Sequence, residues 1–462
     1  MTTALEAASA LGRMLEEILQ SLELAPATAG RLRVNGEEIL PSCFAVTDLA
    51  VAAIGAAGLA TAELLRLSGN SPPPVAVDRR LASAWFLRSL APQGWTLPEP
   101  WDPIAGDYRA ANGWIRLHTN APHHRAAALS VLGCGGDRDA VAGAVTRRAK
   151  DELEAAILQA GGCAAAMRSI ADWQHHAQGR AVIAEPLITW QRGGQGPGRR
   201  WRPEPSRPLA GIKVLDLTRV LAGPVATRFL AGLGADVLRI DPPDWNEPAV
   251  VPDVTLGKRC ARLDLREPGD RRTFEALLAE ADMMVHGYRP GALERLGYDT
   301  ARRRALNASL IDVSLCAYGW SGPWAGRRGF DSLVQMSSGI AEAGMQWKAA
   351  DRPVPLPVQA LDHATGYLMA AAAIRGLAQR MDKGGAVSAR LSLARTAALL
   401  GGSSDAAPAI APGGPRDADY APGIERTPWG PARRLRSPVL IGSLIPHWDR
   451  PASELGAVEA SW

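Results

Sequence analysis

Asp362 is an acidic side chain whose position in the sequence suits nucleophilic chemistry. It precedes an apolar run, Gly366 to Arg380, whose pattern predicts a helix. A carboxylate at the start of a helix is favoured in its ionised form by the backbone N–H groups and the helix dipole. The ionised form is the one that attacks a carbonyl carbon. The position also suits an ordinary capping aspartate, and the adjacent His363 offers a second group for acid–base work.

Other well-known site chemistries have little support in the sequence. His118, His123 and His124 lie close together, but no carboxylate or cysteine stands at ligand spacing beside them, so no metal site is predicted. The segment 217–224 has one glycine where the dinucleotide fingerprint needs three. The chain also lacks P-loop, HExxH and GxSxG motifs, which argues against the chemistries that those motifs carry.

The elements that position Asp362 alternate between strands and helices. The pattern predicts strands at 213–217, 236–240, 283–286 and 310–315, with helices at 224–233 and 271–281. Such alternation predicts an α/β fold with a doubly wound parallel sheet. A Pro/Gly/Arg-rich stretch, 192–208, is predicted to be a linker, which separates a first segment, 1–191, from a large domain, 209–400, and a Pro/Gly-rich return segment, 401–462.

The composition is that of a globular protein rather than a fibrous or disordered one. The 462 residues are 47% hydrophobic and 21% charged, and the net charge of +4 comes from scattered basic residues, so no nucleic-acid partner is expected. Five cysteines without a CxxC motif favour a reducing, cytoplasmic location. Residues 1–24 are predicted to form an amphipathic helix and not a signal peptide, and the apolar stretches 49–62 and 364–374 are too short to cross a membrane.

Five motifs in the second half stand in the order and spacing of one known family. They are 208–241, 257–270, 281–299, 309–339 and 361–378, the last reading LDHATGYLMAAAAIRGLA. With them the sequence resembles the family III CoA-transferases, the CaiB/BaiF group that contains carnitine CoA-transferase and acyl-CoA racemases. The resemblance implies that family's fold, with a smaller α+β domain, and it implies acyl-CoA chemistry at Asp362.

The resemblance also implies a mechanism and a set of contacts. CoA is then a substrate rather than a permanently bound cofactor, and it passes from an acyl-CoA donor to a carboxylic acid through an aspartyl-CoA intermediate. The run 401–404 is a weakly indicated source of N–H groups for the developing oxyanion. The residues implied to line the nucleotide or contact its phosphates are Arg219, Val220, Leu221, Ala222, Leu263, Arg266, Gly287, Tyr288, Arg295 and Arg328.

Two departures from the family pattern bear on function. Where the family commonly has an arginine that reaches adenine, this chain has Asp241 and two prolines, which indicates weaker CoA binding or a substitute arginine. Before Asp331, where the racemases have a catalytic histidine, it has Phe330, which favours a transferase because phenylalanine carries no proton. A 2-methylacyl-CoA racemase or epimerase and a catalytically degenerate CoA-binding protein remain the alternatives.

The order of parts predicts a fused duplication. The segment 46–82 parallels 360–397, with Asp48 at the position of Asp362, and 100–191 resembles the family's smaller domain. Asp48 is interpreted as a structural cap because no nucleotide-binding segment precedes it. The family's subunits form interlocked dimers, so the resemblance implies a homodimer or its equivalent within one chain.

Overall fold

A parallel sheet in the second half of the chain dominates the computed structural model, which describes residues 9–37, 40–69, 71–193, 201–402 and 414–462. The strands are β1 Leu32–Asn35, β2 Val75–Asp78, β3 Leu90–Pro92, β4 Gly106–Ala110, β5 Gly113–Leu117, β6 Ala164–Ala166, β7 Thr189–Arg192, β8 Lys213–Leu217, β9 Asp236–Asp241, β10 Arg259–Arg262, β11 Met283–His286, β12 Ile311–Cys316, β13 Val387–Ser392, β14 Tyr420–Thr427, β15 Gly430–Leu435 and β16 Val439–Ile441. The helices are α1 Ala10–Ser21, α2 Val46–Arg66, α3 Arg79–Leu87, α4 Pro122–Leu132, α5 Arg138–Val145, α6 Lys150–Gln159, α7 Ile170–His175, α8 Ala177–Ala184, α9 Ala222–Gly232, α10 Val251–Val254, α11 Pro268–Glu280, α12 Ala292–Arg295, α13 Thr300–Leu306, α14 Asp331–Ser337, α15 Ile340–Trp347, α16 Ala360–Lys383 and α17 Leu393–Gly401.

Seven strands form the main sheet, in the order β10-β9-β8-β11-β12-β13-β7. The first six are parallel, and β7, from the first half, pairs antiparallel with β13 at the edge. Strands β11 and β12 are buried at every residue, as in parallel sheets that helices cover on both faces. The predicted doubly wound α/β fold is confirmed. The strand order reverses between β8 and β11, and ligands of such folds bind at the carboxyl ends of the strands at that point.

Helix α16 carries Asp362 and packs against α9 and α2. Gly366 makes the contact with α9 close, because a Cβ at this position would lie 2.4 Å from the carbonyl oxygen of Ala222. The start of α16 is thereby held against the start of α9. The helix begins at Ala360, earlier than the sequence pattern suggests, because no side chain caps its N-terminus and the buried polar residues Asp362, His363 and Thr365 interrupt its apolar pattern.

A smaller antiparallel sheet, β4-β5-β6, belongs to the first half. Helices α4, α5 and α6 pack around it on an apolar core of its own, which includes Ile104, Tyr108, Ile115 and Leu153. This unit places the first turn of α4 against the carboxyl edge of the main sheet.

The units around α2 and α16 have the same plan. Strands β1 and β2 pair in parallel, as β12 and β13 do, and each pair accepts an antiparallel strand from the other half of the chain: β16 beside β2, and β7 beside β13. Helix α2 packs along α16. Among the described residues, α2 alone is long and apolar enough to cross a membrane, and 89% of its apolar window is buried inside the protein.

Candidate active site

A cleft of about 300 Å3 lies at the point where the strand order reverses. The loops after β8 and β11 form two of its walls, and the start of α4 and the segment before α14 contribute others. The cleft is therefore built by both halves of the chain. Its lining residues are His123, His124, Leu217, Thr218, Arg219, Val220, Leu221, Ala222, Gly223, Trp245, Gly287, Tyr288, Arg289, Ala292, Leu315, Cys316, Ala317, Arg327, Arg328, Gly329, Phe330, Asp362 and Leu393.

Most of the residues implied by the family resemblance meet in this cleft. They are Arg219, Val220, Leu221, Ala222, Gly287, Tyr288, Arg328 and Asp362. Three others do not line it. Leu263 is buried in the apolar core against which Tyr288 packs. Arg266 is exposed and pairs with Asp264 at 2.7 Å. Arg295 ends α12, outside the cleft lining, where its charge acts on Arg289.

Asp362 is the third residue of α16 and is only 8% exposed. Its backbone N–H donates to Oδ2 of Asp331 at 2.9 Å, and Gln335 donates to the other oxygen of Asp331. Burial raises the pKa of Asp331 to about 6. Burial and the neighbouring Asp331 carboxylate hold the pKa of Asp362 well above its ordinary range. The expectation that the helix start favours ionised Asp362 is wrong here, because desolvation and a like charge outweigh the dipole.

The two carboxyl groups consequently behave as a pair. The charge of Asp331 disfavours ionisation of Asp362, so the two groups lose their protons in separate steps as the pH rises. When Asp362 ionises, its buried carboxylate is only partly solvated. Ionised Asp362 is then a poorly solvated and reactive nucleophile.

The histidines near the pair are poor proton carriers. His118 stacks on Phe330 with a ring separation of 3.7 Å, and burial lowers the pKa of His118 to about 3. Burial likewise lowers the pKa of His124 to about 4. His363 does not line the cleft; it stacks on Phe86, and burial lowers the pKa of His363 to about 3. These rings are neutral at physiological pH, which removes the acid–base role that the sequence left open for His363.

Cationic side chains surround the mouth of the cleft. Arg219, Arg289 and Arg328 line it, and none of them forms an ion pair with a carboxylate in the described parts of the chain. Burial and the nearby charges of Arg328 and Arg295 lower the pKa of Arg289. Arginines that repel one another are stabilised by a multivalent anion, and guanidinium groups match phosphate oxygens closely.

The loop after β8 is held in an unusual conformation. Val220 has a φ of 65°, in the left-handed region that β-branched residues rarely occupy. Its N–H donates to Oε2 of Glu247 at 2.8 Å, and the same oxygen accepts the indole N–H of Trp245 at 3.1 Å. Such a backbone outlier is characteristic of ligand-binding loops. The carboxylate of Glu247 therefore fixes the wall of the cleft.

Two further expectations from the sequence are corrected by the structure. Gly401 and Gly402 end α17, whereas only the first residue of that helix, Leu393, reaches the cleft, about 12 Å away along the helix axis. Positions 403 and 404 lie outside the described residues. Asp48 does not cap α2, which begins at Val46; its carboxylate pairs with Arg79 at 2.6 Å.

Several cleft residues were not singled out from the sequence as site residues. Trp245 and Arg289 follow strands β9 and β11 at the carboxyl edge of the sheet, so the strand order, once known, points to them. His123 reaches the cleft from α4, and no local signal marks a contact between such distant segments. Asp331 was named only in connection with the residue before it.

Comparisons with known proteins found a family model that matches the second half of the chain. Residues 209–419 match the family model for CoA-transferase family III. Acetyl-coenzyme A transferase nodX of Hypoxylon pulicicidum is 34% identical over 215 residues, which are 46% of this chain and 35% of the relative. Succinyl-CoA:glutarate CoA-transferase of Mus musculus is 32% identical over 191 residues, 38% of this chain and 43% of the relative.

A solved CAIB/BAIF family protein from Brucella suis is 26% identical, with a TM-score of 0.38, and the match covers 49% of this chain and 65% of that chain. The chain spans less than half the length of the two curated relatives. The matched segment contains the main-sheet strands β8 to β13, the cleft loops that follow β8 and β11, and the Asp331–Asp362 pair. Over residues 209–419 the chain is thus similar to CoA-transferase family III.

Proposed function

We propose that this protein transfers CoA from an acyl-CoA donor to a carboxylic acid through an aspartyl-CoA intermediate on Asp362. One observation carries the proposal: the buried Asp331–Asp362 pair opens into a cleft lined by three arginines without carboxylate partners. The arginines suit the phosphates of CoA, and the aspartate suits its thioester. The glutarate that the mouse relative's name gives as acceptor is a small dicarboxylic acid, and a small carboxylic acid is the acceptor class that we propose.

The proposed reaction proceeds by four substitutions at carbonyl carbon. Ionised Asp362 attacks the donor thioester, which forms a mixed anhydride and releases CoA thiolate. The thiolate attacks the aspartyl carbonyl, which gives the aspartyl-CoA thioester and the free donor acid. The acceptor carboxylate then attacks that thioester, and the thiolate released attacks the acceptor carbonyl. The last step yields the new acyl-CoA and returns Asp362 as a carboxylate.

Asp331 has a positioning role in this scheme. Its Oδ2 holds the backbone N–H of Asp362, which fixes the first turn of α16. The negative charge of Asp331 raises the pKa of Asp362, so the Asp362 anion that attacks is correspondingly basic. Phe330, stacked on His118, leaves no proton-carrying side chain at the position where the racemases have one. A transferase is therefore favoured over a racemase.

We also propose that the chain is a fused duplication that builds this cleft without a second copy. The matching plans of the α2 and α16 units and their exchange of edge strands β7 and β16 support this. His123 and His124 come to the cleft from the first half and the arginines come from the second. In this proposal Asp48, paired with Arg79, is the inactive counterpart of Asp362. The proposed location is the cytoplasm, where the five free thiols stay reduced.

A screen of acyl-CoA donors against carboxylate acceptors, followed by mass spectrometry, tests the proposed activity. We expect acceptor-dependent formation of a new acyl-CoA by the wild type and none by Asp362→Asn, which keeps the shape of the side chain. Solvent deuterium at the α-carbon of a 2-methylacyl-CoA, without acyl transfer, would indicate the racemase instead. Turnover that persists in Asp362→Asn would contradict the mechanism.

A further inference from the structure

The segment after β9 places an aromatic ring in the cleft, whereas the family resemblance implies an arginine in this segment. Asp241 is buried and its carboxylate accepts two hydrogen bonds from Arg239, at 2.8 and 3.0 Å, so neither side chain is available to a ligand. The prolines that follow offer no side-chain cation. Trp245, four residues after Asp241, is the first residue of this segment to line the cleft.

The segment around Trp245 is held in place by hydrogen bonds at both ends. Arg262 donates to the carbonyl oxygens of Pro242, Pro243 and Trp245 at 2.7, 2.9 and 2.9 Å. The indole N–H of Trp245 donates to Glu247, whose other oxygen accepts from the buried Arg239. A ring fixed in this way loses little conformational freedom when a ligand stacks on it.

Trp245 also contacts one of the cationic side chains of the cleft. The guanidinium carbon of Arg219 lies 4.7 Å from the centre of the Trp245 ring and 5.4 Å from that of Tyr288. Arg219 therefore places a charge beside two aromatic rings in the same cleft that Asp362 lines. A ligand that combines a planar base, phosphates and a thioester matches these three kinds of group: aromatic rings, arginines and a carboxyl group.

We propose that Trp245, fixed by Glu247, is the platform on which the adenine base of the acyl-CoA stacks, so that an aromatic ring replaces a basic side chain. Arg219 then contacts a phosphate beside the stacked base. The inference rests on the proposed function, since it assumes that the ligand of the cleft is CoA. Aromatic rings stack on nucleic-acid bases with an energy that corresponds to roughly a tenfold change in affinity per base.

Calorimetric titration with CoA and with phosphopantetheine, which lacks the adenosine part, tests the proposal without turnover. We expect Trp245→Ala to raise the Kd for CoA about tenfold and to leave the Kd for phosphopantetheine unchanged. Trp245→Phe keeps an aromatic face and should restore most of the affinity. Trp347→Ala, which removes a tryptophan that is 43% exposed and outside the cleft, is the matched control and should bind both like the wild type.

Three results would overturn the proposal. If Trp245→Ala binds CoA as tightly as the wild type, or weakens both ligands equally while Trp245→Phe is no better, Trp245 is not the base platform. If the wild type binds no CoA, the proposed function and this inference fail together. If the wild type binds CoA with the expected dependence on Trp245 but transfers no acyl group, the proposed function alone fails. In the assay, Trp245→Ala should raise KM for acyl-CoA and leave kcat unchanged.

Discussion

The replacement of Asp331 by asparagine tests the carboxyl pair directly. Asp331→Asn keeps an oxygen that accepts the N–H of Asp362, but it removes the negative charge next to it. Without that charge, ionisation of Asp362 becomes easier, so its pKa falls. The acid limb of the pH–rate profile should therefore move to lower pH.

The geometry gives the size of the effect. Oδ2 of Asp331 lies 2.9 Å from the backbone nitrogen of Asp362. The Asp362 carboxyl carbon is three bonds beyond that nitrogen, so the two charges are about 6 Å apart and interact by about 3 kcal/mol at an effective dielectric constant of about 20. That energy corresponds to about two pH units, and partial protonation of the pair reduces the expected movement to about one to two.

The assay is the pH dependence of kcat/KM for acyl transfer in the wild type, in Asp331→Asn and in a control. Asp264→Asn is a suitable control, since Asp264 pairs with the exposed Arg266 outside the cleft and its loss should leave the profile unchanged. An acid limb that stays in place in Asp331→Asn, or moves to higher pH, would refute the coupling of the two carboxyl groups.

Three further predictions follow from the site. Arg328→Gln should raise KM for acyl-CoA about tenfold with little change in kcat, because a charge-assisted hydrogen bond to phosphate is lost. Arg266→Gln is the control and should leave KM unchanged. Equal KM values in the two variants would contradict the role of Arg328. Gly366→Ala places a Cβ 2.4 Å from the carbonyl oxygen of Ala222 and should destabilise the protein by about 1–3 kcal/mol and reduce kcat. Gly376→Ala is the control and should have a milder effect in thermal denaturation and in the assay, because its Cβ meets side chains rather than backbone, those of Ile311 at 3.0 Å and Val387 at 3.6 Å. The opposite order of the two variants would contradict the packing. Asp362→Asn should raise Tm at about pH 8 and leave it unchanged at about pH 4. The reason is that the pKa values of the pair are raised in the folded state, so the stability that is present below the unfolded-state pKa is lost as the pH rises through about 6. A gain in Tm at low pH alone would contradict the raised pKa values.

The elements around the cleft were largely predictable. Strands β8 and β11 have the bounds that their apolar runs predict, because parallel strands buried on both faces read as continuous apolar segments. The cleft position of Arg219 and Tyr288 follows from their places after these two strands, which meet where the strand order reverses.

The ionisation state of Asp362 was not predictable from local pattern. A helix start favours a carboxylate, but the outcome depends on Asp331, which lies 31 positions away in sequence and comes close only in the folded chain. The position of Trp245 in the cleft was not predictable from local pattern either. Its position depends on hydrogen bonds from Arg262 and to Glu247, and composition and periodicity carry no information about such contacts.

Trapping the covalent intermediate tests the central claim most directly. Wild-type protein incubated with an acyl-CoA and then with hydroxylamine should carry a hydroxamate on Asp362, which peptide mass mapping locates. Asp362→Asn, treated in the same way, should carry none, and Asp48 should be unmodified in both. A hydroxamate at another residue, or full turnover without modification of Asp362, would contradict an aspartyl-CoA intermediate at this position.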